Sequence, residues 1–232
     1  MDQASKALNI YGYQLTEAEI DAKAHRDFVG GLWDEMGLLQ LDFVKRHGLM
    51  PNHDLLDMGC GALRGGIQFM RYLDKGHYHG MDFNASLIEA GKREIQGAGL
   101  VEKEAHLLVN AKFEASLFGK SFDYAIAQSV FSHLPMNHIV RCLLEMRKVL
   151  KPTGVFFATF FEAPSAAHLA SITHPSGEIV TNYDTDPFHY AFEEIEWMAR
   201  VAGTQVNLVK DWSHPRDQKM LAFRINERRT AR

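Results

Sequence analysis

The chain has 232 residues, a formal charge of −4, 46% hydrophobic residues and 23% charged residues. That is ordinary globular composition, long enough for one α/β domain with an elaboration to bury a self-sufficient core. The acidic balance argues against general attraction to nucleic acid or an anionic membrane, and two distant cysteines, Cys60 and Cys142, argue against a disulfide framework or structural zinc.

No stretch approaches the ~18 apolar residues of a membrane span, and no apolar run follows the first residues as in a secretory signal. A soluble, cytoplasmic protein is expected. The one basic run, Arg224 to Arg232, reads either as a solvated tail or as an anion-binding arm.

Residues 1–50 read as an N-terminal helical cap. Thr16-Glu17-Ala18-Glu19 has the form of a capping box, and Ile20, Phe28, Leu32, Met36, Leu39 and Phe43 recur at helical spacing. Gly30-Gly31 and Gly37 interrupt the pattern, which predicts two or three helical pieces.

From residue 51 to 232 strands and helices alternate. Strands are expected at 54–58, 77–81, 106–109, 122–128 and 155–161. A glycine-rich turn and a helix through Phe69 and Tyr72 follow the first strand. Ser86-Leu87-Ile88-Glu89 looks like a capping box opening another helix, which Gly97 ends. A helix from near Pro135 to Leu150 carries Arg147, Lys148 and Lys151 at its end, as the macrodipole favours.

Such alternation implies a parallel sheet with right-handed crossovers. After a helix at about 192–201 come strands at 206–211 and 219–226. Only seven residues separate them, too few for a helical crossover, so they pair antiparallel. The fold class is therefore α/β: a seven-stranded, mostly parallel sheet with helices on both faces and an antiparallel C-terminal hairpin. The connection at about 162–187 is long and rich in His, Ser, Thr and Pro; loops of that length are usually functional or disordered, so it reads as an acceptor lid or as plain disorder.

The densest signal is Leu55-Leu56-Asp57-Met58-Gly59-Cys60-Gly61-Ala62-Leu63-Arg64-Gly65-Gly66. A strand runs into close glycines and then a helix, an arrangement that brings backbone N–H groups near a ligand. Asp82 ends the next strand, 25 residues beyond Asp57, where a carboxylate can take both ribose hydroxyls of a nucleoside ligand.

These residues resemble the first motif of class I S-adenosylmethionine-dependent methyltransferases. Gly80-Met81-Asp82-Phe83-Asn84 resembles their second motif and residues 122–134, from Phe122-Asp123-Tyr124 to His133-Leu134, their fourth. Met146 to Gly154 looks like their lead into strand five. The resemblance implies S-adenosyl-L-methionine as cofactor, with Gly59, Cys60 and Gly61 along its methionine and ribose portions. It implies that Asp57 supports the loop, Asp82 holds the ribose, Phe83 and Leu87 lie toward the adenine, Gln128 faces the methionine, and Asn84 also belongs to the cofactor-binding set. Two departures leave matters open. Leu63-Arg64 stand before the third glycine, so Arg64 either reaches a carboxylate of cofactor or substrate or pairs within the protein. Asn110-Ala111-Lys112-Phe113 replaces the usual acidic residue after strand three, so Asn110, Phe113 or backbone reads the adenine. The chain also resembles a narrower bacterial group through Gly30 to Glu35, Leu63 to Gly66 and His214 to Met220, loosely associated with small-molecule and surface-glycan pathways.

Methyl transfer from a sulfonium rests on positioning and water exclusion. A hydroxyl acceptor on a sugar or other small molecule would also need a base, which suits histidine. His133, after strand four, is the first candidate; His214 and His189 follow, and each also reads as a bracing hydrogen-bonder. His214, Arg216 and Gln218 lie on a loop expected at the cofactor side. The twelve histidines show no metal-ligand spacing, so no metal is expected. Rival readings are a nicotinamide dehydrogenase, a nucleic-acid or protein methyltransferase, and a non-catalytic cofactor binder. The first is opposed by Asp57 and the terminal hairpin. A nucleic-acid substrate is opposed by the missing basic stripe and N/D-P-P-Y/F motif.

Overall fold

The structure is a computed structural model, and it describes residues 10–164, 169–175 and 179–226. The end of the basic run (227–232), the first nine residues of the expected cap and parts of the expected lid (165–168 and 176–178) lie outside the described residues.

In chain order the elements are α1 (Glu17–Asp21), α2 (Ala24–Phe28), α3 (Trp33–Arg46), β1 (Leu55–Met58), α4 (Gly66–Tyr72), β2 (Tyr78–Asp82), α5 (Ala85–Gly97), β3 (His106–Val109), β4 (Phe122–Ala127), α6 (Met136–Val149), β5 (Leu150–Phe160), β6 (Ile172–Thr173), β7 (Val180–Thr181), α7 (Phe192–Ala202), β8 (Thr204–Val209) and β9 (Lys219–Ile225). Seven strands form one mostly parallel sheet in the order β3-β2-β1-β4-β5-β9-β8. β1, β2 and β3 pair parallel, while β9 runs antiparallel to both β5 and β8. The expected α/β architecture with its terminal hairpin is present.

The chain divides into two compact units, one ending at Tyr124 and the other starting at Ala125. In the first, the N-terminal helices are integral. Leu15 and Ile20 share a buried cluster with Ala62, Leu87 and Ala90, and Phe28, Val29 and Trp33 pack against it. The Thr16–Glu19 capping box forms as the sequence predicts, with Glu19 N–H donating to Thr16 Oγ1 (3.3 Å) and Thr16 N–H to Glu19 Oε2 (2.8 Å).

Three local expectations change. Gly37 does not break α3. A Cβ there would stand 2.6 Å from the Arg64 carbonyl oxygen, so the glycine serves close approach between helix and loop. Asn84, not Ser86, caps α5: its Oδ1 accepts from Ser86 N (2.9 Å) and Leu87 N (3.3 Å), and the helix starts one residue later. β5 begins at Leu150 rather than at Val155, so α6 passes directly into strand and Lys151 belongs to β5.

In the second unit, α6 and α7 each bury one face, through Ile139, Cys142, Leu143 and Met146 on α6 and Ile195, Met198 and Ala199 on α7. Phe131, Phe156 and Phe223 form an aromatic cluster with centroids 5.7–6.1 Å apart. The described part of the expected lid holds the β6–β7 ribbon and two isolated bridges, Glu162 with Tyr190 and Asn182 with Phe188.

Gly37→Ala should destabilise the protein by about 1–3 kcal/mol, because backbone is what its Cβ meets. Gly97→Ala, with nothing within 4 Å of its Cβ, should be neutral or stabilise by up to about 1 kcal/mol. Urea unfolding midpoints check both, and equal effects would remove the packing reason for Gly37.

Candidate functional site

The first unit holds a cradle at the ends of β1 and β2. Gly59 and Gly61 adopt φ of +73° and +54°, a region glycine enters without a side-chain penalty. Gly59 N–H and Cys60 N–H both donate to the Met81 carbonyl, at 2.7 and 3.0 Å, which ties the turn to β2. Gly61 N–H donates to Asp82 Oδ2 (2.9 Å) and Asn84 N–H to Asp82 Oδ1 (2.8 Å). Each Asp82 oxygen therefore accepts a backbone N–H, the Phe83 N–H adds a third, and a carboxylate with about four lone-pair sites keeps acceptor capacity beyond these. Burial pushes the Asp82 carboxyl above the ordinary carboxylate value, against the pull of these N–H groups.

Asp57 lies one layer deeper and accepts from Tyr78 Oη at 2.8 Å. Burial raises its carboxyl to about 7, opposed by the Tyr78 hydrogen bond and reinforced by the Asp82 charge. Gly66 leaves room for the Tyr78 hydroxyl, which its own Cβ would strike. Burial also pushes the Cys60 thiol well up, so it is a packed side chain rather than a nucleophile.

The remaining sequence candidates of this unit fall as follows. Arg64 Nη1 donates to the carbonyls of Val29 and Gly31, both at 2.9 Å, so it pins the corner between α2 and α3. Leu87 is buried in the cluster with Leu15 and Ile20. Phe83 is 43% exposed, an apolar face beside Asp82. Asn84 is fully buried and donates through Nδ2 to the Tyr11 and Tyr13 carbonyls, both at 2.7 Å. Asn110 closes an Asx turn: Oδ1 accepts from Lys112 N (2.8 Å) and Glu114 N (3.2 Å), and Nδ2 donates to Glu114 Oε2 (2.9 Å). Phe113, half-buried, follows in that loop with φ +63°.

The second unit carries the other candidates, in three groups. Gln128 belongs to a buried polar knot in which Gln218 Oε1 accepts from Thr159 Oγ1 (2.6 Å), Ser129 Oγ (3.1 Å) and, at 3.4 Å, Gln128 Nε2. Ser129 holds φ +58°, and its N–H donates to Thr159 Oγ1 at 2.7 Å. His133 Nδ1 meets Asp186 Oδ1 at 2.5 Å, with side-chain exposures of 17% and 12%. His189 is fully buried in a chain where Thr181 Oγ1 stands 2.8 Å from His189 Nδ1 and 2.9 Å from His174 Nε2. Asp217 is the anion nearest the other His174 nitrogen, at 3.8 Å. Burial holds His174 below the ordinary imidazole value. His214 stands apart from these groups, its Nδ1 accepting from Arg216 N (3.0 Å) in a tight loop turn. Sequence reasoning missed Ser129, Thr159, His174, Thr181 and Asp186. Among the described residues no three His, Cys, Asp or Glu side chains converge as a metal site requires. No described helix is long and apolar enough to cross a membrane.

Comparison with known proteins adds the following. Residues 56–156 match a family described as "Methyltransferase domain". The matched segment, under half of the chain, resembles a methyltransferase domain, and the fold is that of S-adenosylmethionine-dependent methyltransferases. An uncharacterized protein of Rickettsia prowazekii is 28% identical over 47% of this chain, so the match spans about 43% of that relative's length. The ubiquinone/menaquinone biosynthesis C-methyltransferase UbiE of a Shewanella species is 25% identical over 84% of each chain. The solved structure of an S-adenosylmethionine-dependent methyltransferase from Clostridium acetobutylicum superposes with a TM-score of 0.65 at 11% identity, covering 90% of this chain and 99% of that one.

The buried Asp57 gives a pH signature. In acid both folded and unfolded states hold its proton. As pH rises from about 4 towards 7 only the unfolded carboxyl ionises, so Asp57 costs stability over that window. His79, held at about 4 by burial, contributes the opposite slope, so the difference between Asp57→Asn and the parent carries the test. In cofactor-free protein the variant should gain stability relative to the parent from about pH 4 to 7; parallel urea midpoints at every pH would show that Asp57 stays ionised.

Proposed function

We propose that this chain is an S-adenosylmethionine-dependent methyltransferase that O-methylates a hydroxyl of a small molecule, such as a sugar or other metabolite. The observation that carries the hydroxyl assignment is the His133–Asp186 pair. A carboxylate on Nδ1 sets the imidazole orientation and directs its Nε2 lone pair to a proton, the arrangement expected of a general base. Asp186 is a positioning residue in this reading.

On the cofactor side, the free acceptor capacity of Asp82 suits two ribose hydroxyls. Phe83 offers a face to the adenine, and the Gly59–Gly61 turn permits close approach of the methionine portion. The cofactor supplies an electrophilic methyl on a sulfonium; the protein holds it, excludes water and takes the hydroxyl proton. His189 and His214 serve as bracing groups, since both Nδ1 atoms are engaged by neutral partners.

A second reading is C-methylation of an activated ring, favoured by the Shewanella relative's printed activity and its 84% coverage. The same base would deprotonate a ring hydroxyl and raise electron density at a neighbouring carbon. The position of the labelled methyl in product, read by carbon NMR, separates the two.

Asp82→Ala should weaken cofactor binding at least about tenfold in calorimetric titration, through loss of charge-assisted hydrogen bonds. Affinity equal to the parent's would remove Asp82 from the cofactor site. His133→Gln should retain cofactor affinity but lower kcat by about 10²–10⁴-fold and abolish the acid limb of its pH profile. A variant that loses thermal stability while keeping that limb would make His133 a brace.

A further inference from the structure

A cavity of about 310 Å³ opens in the first unit among α1, α2, α4, α5 and the start of α3. No residue of the glycine turn and none at the Asp82 end of β2 lines it, so it is separate from the cofactor cradle. Its size falls at the lower end for small-molecule sites, room for a small metabolite but not for a dinucleotide.

One wall is His25, 1% exposed, whose Nε2 lies 2.8 Å from Glu94 Oε1. Glu94 is also held by Arg26 through Nε (2.8 Å) and Nη2 (2.7 Å). The carboxylate accepts, so His25 Nε2 carries the hydrogen towards Glu94. His25 Nδ1 is buried and has no hydrogen-bond partner, an uncommon state for a buried polar atom. A second wall is Trp33, its ring edge-on to His25 with centroids 5.9 Å apart and with the Arg26 guanidinium 4.8 Å from its centre.

The charges are unevenly neutralised. Arg26 is committed to Glu94, and Arg93 to Glu17 and Asp21. Lys23 and Arg71 also line the cavity, and among the described residues neither ammonium nor guanidinium has a carboxylate partner; Arg71 donates only to Gln68 Oε1. Lys23 moreover holds a left-handed backbone, φ +59°, where a lysine side chain is disfavoured.

We propose that this cavity binds a phosphate-bearing metabolite. Asp34, also in the lining, offsets one of these two cations, and the positive charge that remains calls for an anion. The buried Nδ1 calls for one that can share a proton with it. A phosphate does both, since its second dissociation lies near ~6 and one proton can reside on either partner. A carboxylate ionised at neutral pH brings charge without that proton. The indole of Trp33 and the apolar side chain of Ile67 give the organic part of the ligand a surface.

The test uses the full chain and three probes: inorganic phosphate, glucose 6-phosphate and sulfate. Titration is followed by the imidazole nitrogen resonances of His25 and by calorimetry. Inorganic phosphate should shift His25 Nδ1, and glucose 6-phosphate should do so at lower concentration because it also covers Trp33. Sulfate, which carries the charge but no acidic proton at neutral pH, should leave the resonance in place. The exposed double variant Lys23→Ala/Arg71→Ala should weaken phosphate binding about tenfold or more and leave cofactor affinity unchanged. A His25 ring indifferent to both phosphates, or a double variant that binds them like the parent, overturns the site. An equal response to sulfate overturns phosphate as its ligand class. Glucose 6-phosphate no tighter than inorganic phosphate overturns the metabolite and leaves a free-ion site.

Discussion

The arrangement of the first unit depends on one buried carboxylate. Asp82 sits at the C-terminal end of β2 at 7% exposure, where an unaccompanied charge would be costly. It is kept there by N–H groups from two directions, Gly61 on the β1 turn and Asn84 at the start of α5. The Asp82 carbonyl accepts from Asn110 N–H at 2.9 Å, so β3 leaves the sheet in register with the same residue. Asn84 then reaches through its amide to Tyr11 and Tyr13, and Leu15 N–H donates to Ser86 Oγ (2.9 Å). Satisfying one anion thus fixes the glycine turn, the α5 cap and the path of the N-terminal segment. In the proposed cofactor role the same carboxylate would take a ribose diol, so folding and cofactor recognition would share a constraint.

Much of this was legible in the chain because it is written locally. The alternation of apolar runs with capped helices predicts the parallel strands, and the seven residues between the last two strands predict the antiparallel pair. Asp57, Gly59, Gly61 and Asp82 are recognisable because a turn of this kind needs those residue types at those spacings. What sequence could not give depends on partners distant in the chain. Gly37 looks like a helix breaker until the Arg64 carbonyl is seen against it. Ser86 and Asn84 both suit a cap, and only the backbone path shows which of the two accepts. Arg64 has its explanation in two carbonyls more than thirty positions earlier.

The second unit shows the same limit more sharply. His133 could be singled out by its place after strand four, but Asp186 lies 53 positions on, inside a segment with little periodic signal. Gln128 was legible, whereas its partners Thr159 and Gln218 are ordinary residues made important by convergence. Three donors on the single oxygen of Gln218 exceed the two lone pairs a carbonyl offers. The contacts from Thr159 and Ser129, at 2.6 and 3.1 Å, hold the closer positions, and the 3.4 Å contact from Gln128 is the weakest. Gln128 Oε1 is left buried without a donor, so this amide is the member of the knot most ready to turn to a ligand.

Thr181 imposes a further condition on the buried histidines. Its hydroxyl has one hydrogen, yet it stands within hydrogen-bond distance of an imidazole nitrogen on either side. Both rings cannot accept from it, and if both donated, its own buried hydrogen would lose the two acceptors beside it. One ring gives and the other receives, so His174 and His189 adopt tautomers in step. Asp217, the nearest anion, favours a hydrogen on the facing His174 nitrogen. His174 Nε2 then receives from Thr181, and Thr181 receives from His189 Nδ1. Reversing any one of these protons reverses the whole row, so three side chains hold a single binary state between them.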